Sequence, residues 1–360
     1  MVNTWSIQGY LVKKVLFILK RREDFNATVH SHVGLSTGLY NSASFVHDML
    51  SEAGIKSNLE VAVDNNCIDR LVTKHRPTHC IIEALWVVPS KFTVLQKLHP
   101  TVKWIVRLHS DMPFMAGEGN AMDWLGDYSR FKNIIIACNA PRMLRETRLY
   151  LQHLNQWDDT TTEERVIYLP NYYPQEYKRK PFDKHKYWVD IGCFGAIRPL
   201  KNHLLQAFGA IEFANKIGKQ LRFHVNAGRI EMQGGPALNN LKGLFQQISD
   251  HGHQLVNHRW TPREGFLDLC GQMDIGLQVS FSETFNIVGA DVISQGVPLV
   301  GSVEIPCAIP FTGANPTESK DICDKLMLAY CFPQTNVRLS QWALTRYTNK
   351  TVDIWDKYFT

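Results

Sequence analysis

Apolar residues in this chain come in short clusters of two kinds, and the two kinds alternate. One is a brief, nearly continuous run, the mark of a strand buried on both faces; the other recurs at helical spacing. Residues 15–19, VLFIL, form the first run, fenced by Lys13-Lys14 and Lys20-Arg21-Arg22. That run is too short for a secretion signal and predicts a first strand. A polar loop carrying Gly34 and Gly38 follows, then a helix with Ala43, Phe45, Val46, Met49, Leu50 and Ala53 as its apolar face, capped at Gly54. With a strand at 59–63 this is a strand, glycine loop, helix, strand opening of Rossmann type. The alternation continues with helices at 67–74, 92–98, 120–131 and 142–153 and strands at 79–85, 102–108, 133–138 and 166–169. It restarts with strands at 190–194, 221–227, 254–256, 274–279 and from 297, and with helices ending near 213 and at 237–248, 263–270 and 287–295. A proline-containing loop at 304–315 and helices at 320–329 and 340–358 complete it. Such alternation predicts an α/β fold. Two Rossmann-like domains are expected, at 1–180 and 188–335, with the helix at 340–360 packing back on the first.

Composition changes this picture little. A chain of 360 residues exceeds what one core comfortably serves, in keeping with two domains. Hydrophobic content of 44% and charged content of 20% are those of a globular protein. No apolar run approaches the ~20 residues of a membrane span. Eight cysteines, without a C-x-x-C pair, sit in surroundings such as HCIIEALW and IIIACNA. Reduced, buried thiols are expected, not a disulfide framework or a zinc site. The net charge of +5 suits an anionic small molecule, a nucleic acid or an anionic membrane surface, and does not choose among them.

The chemistry concentrates in residues 274–302, DIGLQVSFSETFNIVGADVISQGVPLVGS. The pattern is strand, polar turn, helix, glycine stop, strand, a geometry that holds phosphate at a helix N-terminus. Glu283 in the turn and Asp291 just over two helical turns later can face one side of a crevice. There they can accept hydrogen bonds from sugar hydroxyls and from a ribose diol. The N–H groups of Thr284, Phe285 and Asn286 can point at a diphosphate. The segment resembles the signature of retaining GT-B glycosyltransferases, family 4 in particular, with Ser280, Glu283, Phe285, Asp291, Gly296, Pro298 and Leu299-Val300 in register. Asp291 replaces the usual glutamate.

The resemblance extends along the chain and implies a GT-B fold, two Rossmann-like domains facing across a cleft. His109 follows a buried strand where the family has a histidine near the donor sugar, and Arg107 and Asp111 flank it as candidates for the acceptor. The segment leading into Pro170-Asn171 resembles the close of the family's first domain, with Tyr172 in place of glycine. Pro199 and Lys201 match the phosphate-binding G-R-L-x-P-x-K pattern; its arginine position holds Ala196, and Arg198 lies two residues on. Trp260 falls in the loop that the family places near the nucleotide base, and packing is its expected role. Implied donor-binding residues are therefore Gly38, Arg198, Lys201, Thr284, Phe285, Asn286 and Asp291, with His109, Glu283 and Asp111 at the reaction centre. The donor implied is a nucleotide-diphosphate sugar, with a UDP-sugar favoured. No D-x-D motif is present, Asp158-Asp159 lies in an expected polar loop, and no obligatory metal or cofactor is expected.

The segments PTHCIIEALWVVPSKF and VKWIVRLHSDMPF are similar to tailed-phage glycosyltransferases. That likeness implies a cytoplasmic enzyme, in the host if phage-encoded, with a hydroxymethylated pyrimidine in duplex DNA as acceptor. A cell-envelope glycan or lipid is the alternative. A non-catalytic nucleotide-sugar or nucleic-acid binding protein and a sugar-nucleotide epimerase are rival readings on the same scaffold. Arg142, Arg145 and Arg148 recur at helical spacing and read as a solvated face or an anion contact; the basic, aromatic stretch at 177–188 reads as a solvated hinge before a nucleic-acid contact.

Overall fold

The computed structural model describes residues 13–21 and 37–359. The expected glycine loop falls largely outside them, Gly34 included; Gly38 lies at the start of the first described helix, α1 (Thr37–Glu52). Strands β1 (Lys14–Lys20), β2 (Lys56–Ala62), β3 (His79–Glu83), β4 (Lys103–Leu108), β5 (Ile134–Cys138) and β6 (Val166–Tyr168) form one sheet in the order β2-β1-β3-β4-β5-β6. Strands β7 (Trp188–Gly192), β8 (Gln220–Val225), β9 (Gln254–Asn257), β10 (Ile275–Gln278), β11 (Leu299–Ser302) and β12 (Gly313–Ala314) form the second, ordered β12-β11-β10-β7-β8-β9. All pairings are parallel. Parallel strands need helices on both faces, which is why β1 is apolar without alternation and Val15 to Leu19 are buried.

Each sheet has one place where strand order reverses, between β1 and β3 in the first and between β7 and β10 in the second. Outside the carboxyl ends of the strands at such a point the crossovers diverge and leave a crevice, the usual ligand site of open α/β sheets.

The chain crosses between the halves twice. The first crossing, 169–187, carries the basic, aromatic stretch; Lys178, Arg179, Lys184 and His185 are exposed, while Lys180 and Lys186 turn inward. Lys180 Nζ donates to Met273 O (2.5 Å), Lys186 Nζ to Asp274 Oδ1 (2.8 Å), and the Lys184 ammonium lies 5.4 Å from the Tyr330 ring centre. Gly296, with φ +72°, lies against this stretch; a Cβ there would meet Lys178 O at 2.6 Å. The second crossing is a single helix, α5 (Pro333–Phe359), with α2 (Pro141–Asn155), α3 (His203–Lys216) and α4 (Ile287–Ser294) the other helices that position the site. α5 begins at Pro333 rather than 340. Asn336, fully buried in its first turn, accepts from Leu299 N–H (2.9 Å) and donates to Leu299 O (3.0 Å), as a strand neighbour would. In its last turns Trp355 and Phe359 pack among Val15, Phe17, Ile81 and Ile105.

Asp158-Asp159 opens a short helix, Asp159–Arg165, rather than a loop, because the Asp158 carboxylate caps it by accepting from Thr161 N–H (2.8 Å). Of the eight cysteines none is disulfide-bonded; six are buried, Cys67 is half-buried and Cys331 exposed. No helix among the described residues is long and apolar enough to cross a membrane.

Candidate active site

The C-terminal crevice is built by the turns after β7 and β10. After β7 the chain needs a residue without a side chain, and Gly195 turns it at φ +119°, its N–H donating to Asn226 Oδ1 (2.7 Å). The next turn, Pro199–Lys201, brings Lys201 down beside that glycine, where its buried Nζ pairs with the Glu283 carboxylate. Burial alone raises the Glu283 pKa, but Lys201 and then Arg198 outweigh it and hold the carboxyl below its ordinary value, ionised. Asp291, on α4, is buried and accepts from Tyr173 Oη (2.8 Å) and Arg263 Nη2 (2.9 Å). Burial dominates there and leaves its carboxyl above the ordinary value despite Arg263. Asn286 caps α4 in the left-handed region (φ 59°), accepting from Gly289 N–H at 2.8 Å. Phe285 points away from the crevice and stacks on Tyr347 (5.2 Å between centres), so only its main chain can serve a ligand. Among the described residues no acceptor meets the N–H groups of Thr284, Phe285 and Asn286.

The N-terminal crevice rests on a buried cluster that sequence reasoning missed. β3 and β4 end side by side with Glu83 opposite Arg107, both fully buried. Arg107 Nη1 donates to both Glu83 oxygens (3.1 Å), Nε to Leu169 O (3.0 Å) and Nη2 to Pro170 O (3.0 Å), and the Trp355 ring centre lies 5.3 Å away. Arg107 is therefore no acceptor contact; it ties the strand ends to both crossings. Glu83 also bonds His109 Nε2. A carboxylate can only accept, so Nε2 carries the proton and Nδ1 remains as the ring's acceptor. Burial lowers the His109 pKa more than Glu83 raises it, so the ring is neutral. The one signal in the sequence was an acid ending one apolar strand and a base ending the next, and it depended on a register that sequence does not give.

Asp111 is buried and capped onto Met112 N–H (2.9 Å), and it pairs with Arg142 of α2. Arg142 also pairs with Glu304 of the other half, whose Oε2 accepts from Glu283 N–H (3.1 Å). Thr284 Oγ1 donates to His109 O and accepts from Asn139 Nδ2, both at 3.2 Å. Asp111 and Thr284 thus join the two halves. Arg198 does so too, its guanidinium 4.8 Å from the Phe114 ring centre. Of the three spaced arginines Arg142 is in this bridge, Arg148 donates to Val166 O (2.9 Å), and Arg145 is exposed.

These residues line three adjoining cavities. One, of about 160 Å³, has Gly38, Arg198, Lys201, Trp260 and Asp291 in its walls. Trp260 is 38% exposed there, with the Arg229 guanidinium 5.4 Å from its ring centre. A small middle cavity shares Arg198 with it and adds His109, Asp111, Glu283 and Thr284. The third, of about 650 Å³, shares His109, Ser110 and Phe114 with the middle one and opens over the N-terminal crevice. Among the described residues no group of three or more His, Cys, Asp or Glu is placed to hold a metal ion.

No protein-family model and no curated protein sequence matches the chain. Solved structures do match in shape. HepE of Anabaena, in complex with UDP and glucose, is 14% identical over 96% of this chain and 98% of its own, with a TM-score of 0.61. A UDP-forming α,α-trehalose-phosphate synthase of Burkholderia xenovorans is 12% identical over 96% and 98%, with a TM-score of 0.65. The sucrose-phosphate synthase of Thermosynechococcus elongatus is 12% identical over 96% and 98%, with a TM-score of 0.66. Likeness at such identity speaks for architecture, and with two facing parallel sheets of six strands each it establishes that the chain has the GT-B fold, two Rossmann-like domains across a cleft.

Proposed function

We propose that the protein is a retaining glycosyltransferase moving a sugar from a nucleotide-diphosphate donor, a UDP-sugar first, to a hydroxyl acceptor. The observation that carries this reading is the buried Lys201–Glu283 pair at the C-terminal crevice, adjoining His109 across the cleft. Support comes also from HepE, solved with UDP and glucose, and from the UDP-forming synthase. In this reading the diphosphate lies against Lys201, Arg198 and the N–H groups at the start of α4. Donors fixed in advance at a site of developing negative charge lower the barrier without reorganisation. Glu283 accepts from sugar hydroxyls, Asp291 accepts from the ribose, and His109 Nδ1 meets the sugar from the other half. The bond from the anomeric carbon to the phosphate oxygen breaks while the acceptor oxygen bonds on the same face. The acceptor's proton passes to the departing phosphate. Cations and a helix dipole take the part a divalent metal plays elsewhere, so chelation by EDTA leaves the rate unchanged.

For the acceptor we take a hydroxymethylated pyrimidine in duplex DNA first and an envelope glycan or lipid second. A DNA acceptor requires the base to flip into the cleft and binding to weaken with salt. The test offers UDP-glucose and other nucleotide sugars with hydroxymethylated and unmodified duplexes, and reads the mass of the digested nucleosides. A sugar increment on the hydroxymethylated base alone establishes the DNA reading. Slow donor hydrolysis with no increment keeps the enzyme and moves the acceptor to the envelope. Donor binding without hydrolysis or transfer rejects catalysis altogether.

A further inference from the structure

Away from the cleft, a cavity of about 290 Å³ lies between the two crossings. Asp274, just before β10, and Pro298, just before β11, are in its walls, so it sits at the amino ends of these strands, opposite the donor crevice. The first crossing supplies Arg179, Lys180 and Phe182, and the early turns of α5 supply Arg338 and Gln341. Among the described residues its walls hold three cations and one carboxylate. That carboxylate, Asp274, is buried and already accepts from Lys186 Nζ (2.8 Å) and Asp190 N–H (2.9 Å). Lys180 is turned to Met273 O, whereas Arg179 and Arg338 are exposed, one on each crossing. A positive, partly apolar hollow at a junction between domains has the make-up of a site for a small anion.

Both crossings also bond to the last turn of α4. Lys178 N–H donates to Ser294 O (2.6 Å), and Gln341 Nε2 donates to Ile293 O (3.2 Å). α4 has eight residues and spans about 12 Å, and its other end is the start that faces the donor crevice. One short helix thus separates this cavity from the proposed diphosphate site. In this arrangement the halves are joined, by Thr284 to His109 O and by Arg142 to both Asp111 and Glu304. The donor cavity belongs to the same arrangement, since Gly38 and Asn41 of the first half and Asp291 of the second line it together. A ligand shifts a protein toward the arrangement in which its own site is formed.

We propose that this cavity is an effector site for a small phosphate-bearing molecule, which bridges Arg179 and Arg338, holds the two crossings at one angle and tightens donor binding. The arginines hold the phosphate through charge-assisted hydrogen bonds, and Phe182 meets the rest of the molecule. With the angle fixed, α4 and the first half stay in register across the donor cavity. The effect on the donor rests on the proposed glycosyl transfer; the phosphate contact does not, and is measurable without turnover. A free sugar phosphate and a nucleotide present the same chemistry.

Calorimetric titration of the whole chain with inorganic phosphate, glucose 6-phosphate and ATP separates them. At least one is expected to bind, and to bind about tenfold weaker or more in the Arg179→Ala/Arg338→Ala double variant. The compound that binds tightest names the source. At saturation it is expected to tighten UDP binding about fivefold or more in the wild type and to leave it unchanged in the variant. Binding by none of the three, or binding that survives in the variant, overturns the inference. So does a wild-type UDP affinity that stays level or weakens, a weakening meaning that the compound enters the donor cavity instead. Because both side chains are exposed, the variant keeps its fold, and circular dichroism checks this. UDP alone reads the donor side separately: a chain that binds the phosphate compound through these arginines but ignores UDP keeps the site and rejects the proposed donor.

Discussion

The two halves present the same sheet edge to the cleft and treat charge there in opposite ways. In the C-terminal half the ion pairs lie in the cavity wall: Lys201 with Glu283, Arg263 with Asp291, Arg229 with Glu231. In the N-terminal half one pair is sunk beneath the wall, where Glu83 and Arg107 are wholly buried and, of that cluster, His109 alone reaches the cleft. A wall pair can exchange its partner for a ligand group at little reorganisation. A sunken pair cannot, and it serves instead to fix the geometry of what stands above it. The same kind of interaction therefore binds in one half and positions in the other.

The largest expected effect breaks the first term of that comparison. Glu283→Gln keeps the shape and removes the charge, and transfer should fall about 10²–10³-fold in kcat; wild-type turnover would remove Glu283 from the site. Next, Glu83→Gln should act on stability before activity. It leaves Arg107 buried without its charge partner, a loss of about 3–5 kcal/mol in denaturant unfolding. A loss below about 1 kcal/mol would mean that the carbonyl bonds of Arg107 suffice.

Acid sharpens the comparison. Each half holds a histidine kept neutral chiefly by burial: His79, aided by Lys103 and Lys13, down at about 4, and His203, aided by Lys201 and Arg198, at about 3. Both pKa values are depressed, so between about 6.5 and these values the unfolded chain binds more protons than the folded one. Stability should therefore fall as pH drops through that window, by about 1.4 kcal/mol per pH unit for each group. Urea unfolding at pH 7, 5.5 and 4.5 checks it, and His203→Asn should flatten the slope. A profile level across that range would contradict the burial of these rings. The smallest effect is expected at Arg145, whose side chain is 80% exposed beside Glu146 at 3.8 Å. Arg145→Ala should change stability by no more than about 0.5 kcal/mol and leave acceptor affinity unchanged; a large loss of affinity for DNA would revive the basic helix as a contact.

How much was legible in the sequence follows the same division. Glu283 and the turn into α4 lie in a contiguous, patterned segment, so spacing placed them at a helix start, and the resemblance to the family's phosphate-binding pattern added Lys201. The strand and helix alternation was readable because parallel strands are apolar throughout. Glu83 and Arg107 were not readable, since their meeting depends on the register of β3 against β4. The bridge of Asp111, Arg142 and Glu304 joins three distant segments and needs both halves docked. The basic stretch at 177–188 read first as a solvated hinge; that Lys180 and Lys186 are held was not readable, since their acceptors, Met273 O and Asp274, lie 93 and 88 residues further along the chain.

The helix α5 has a mechanical consequence. Its 27 residues span about 40 Å as one rod. One end is clamped to β11 by Asn336, the other set into the first sheet's core by Trp355. A rod neither stretches nor compresses on the scale of thermal forces, so the halves cannot draw apart along it. What remains is rotation about the short stretch where the rod and the first crossing run together. Opening and closing should therefore follow a single angular coordinate, as a door follows its pin, rather than a free reorientation of two tethered bodies.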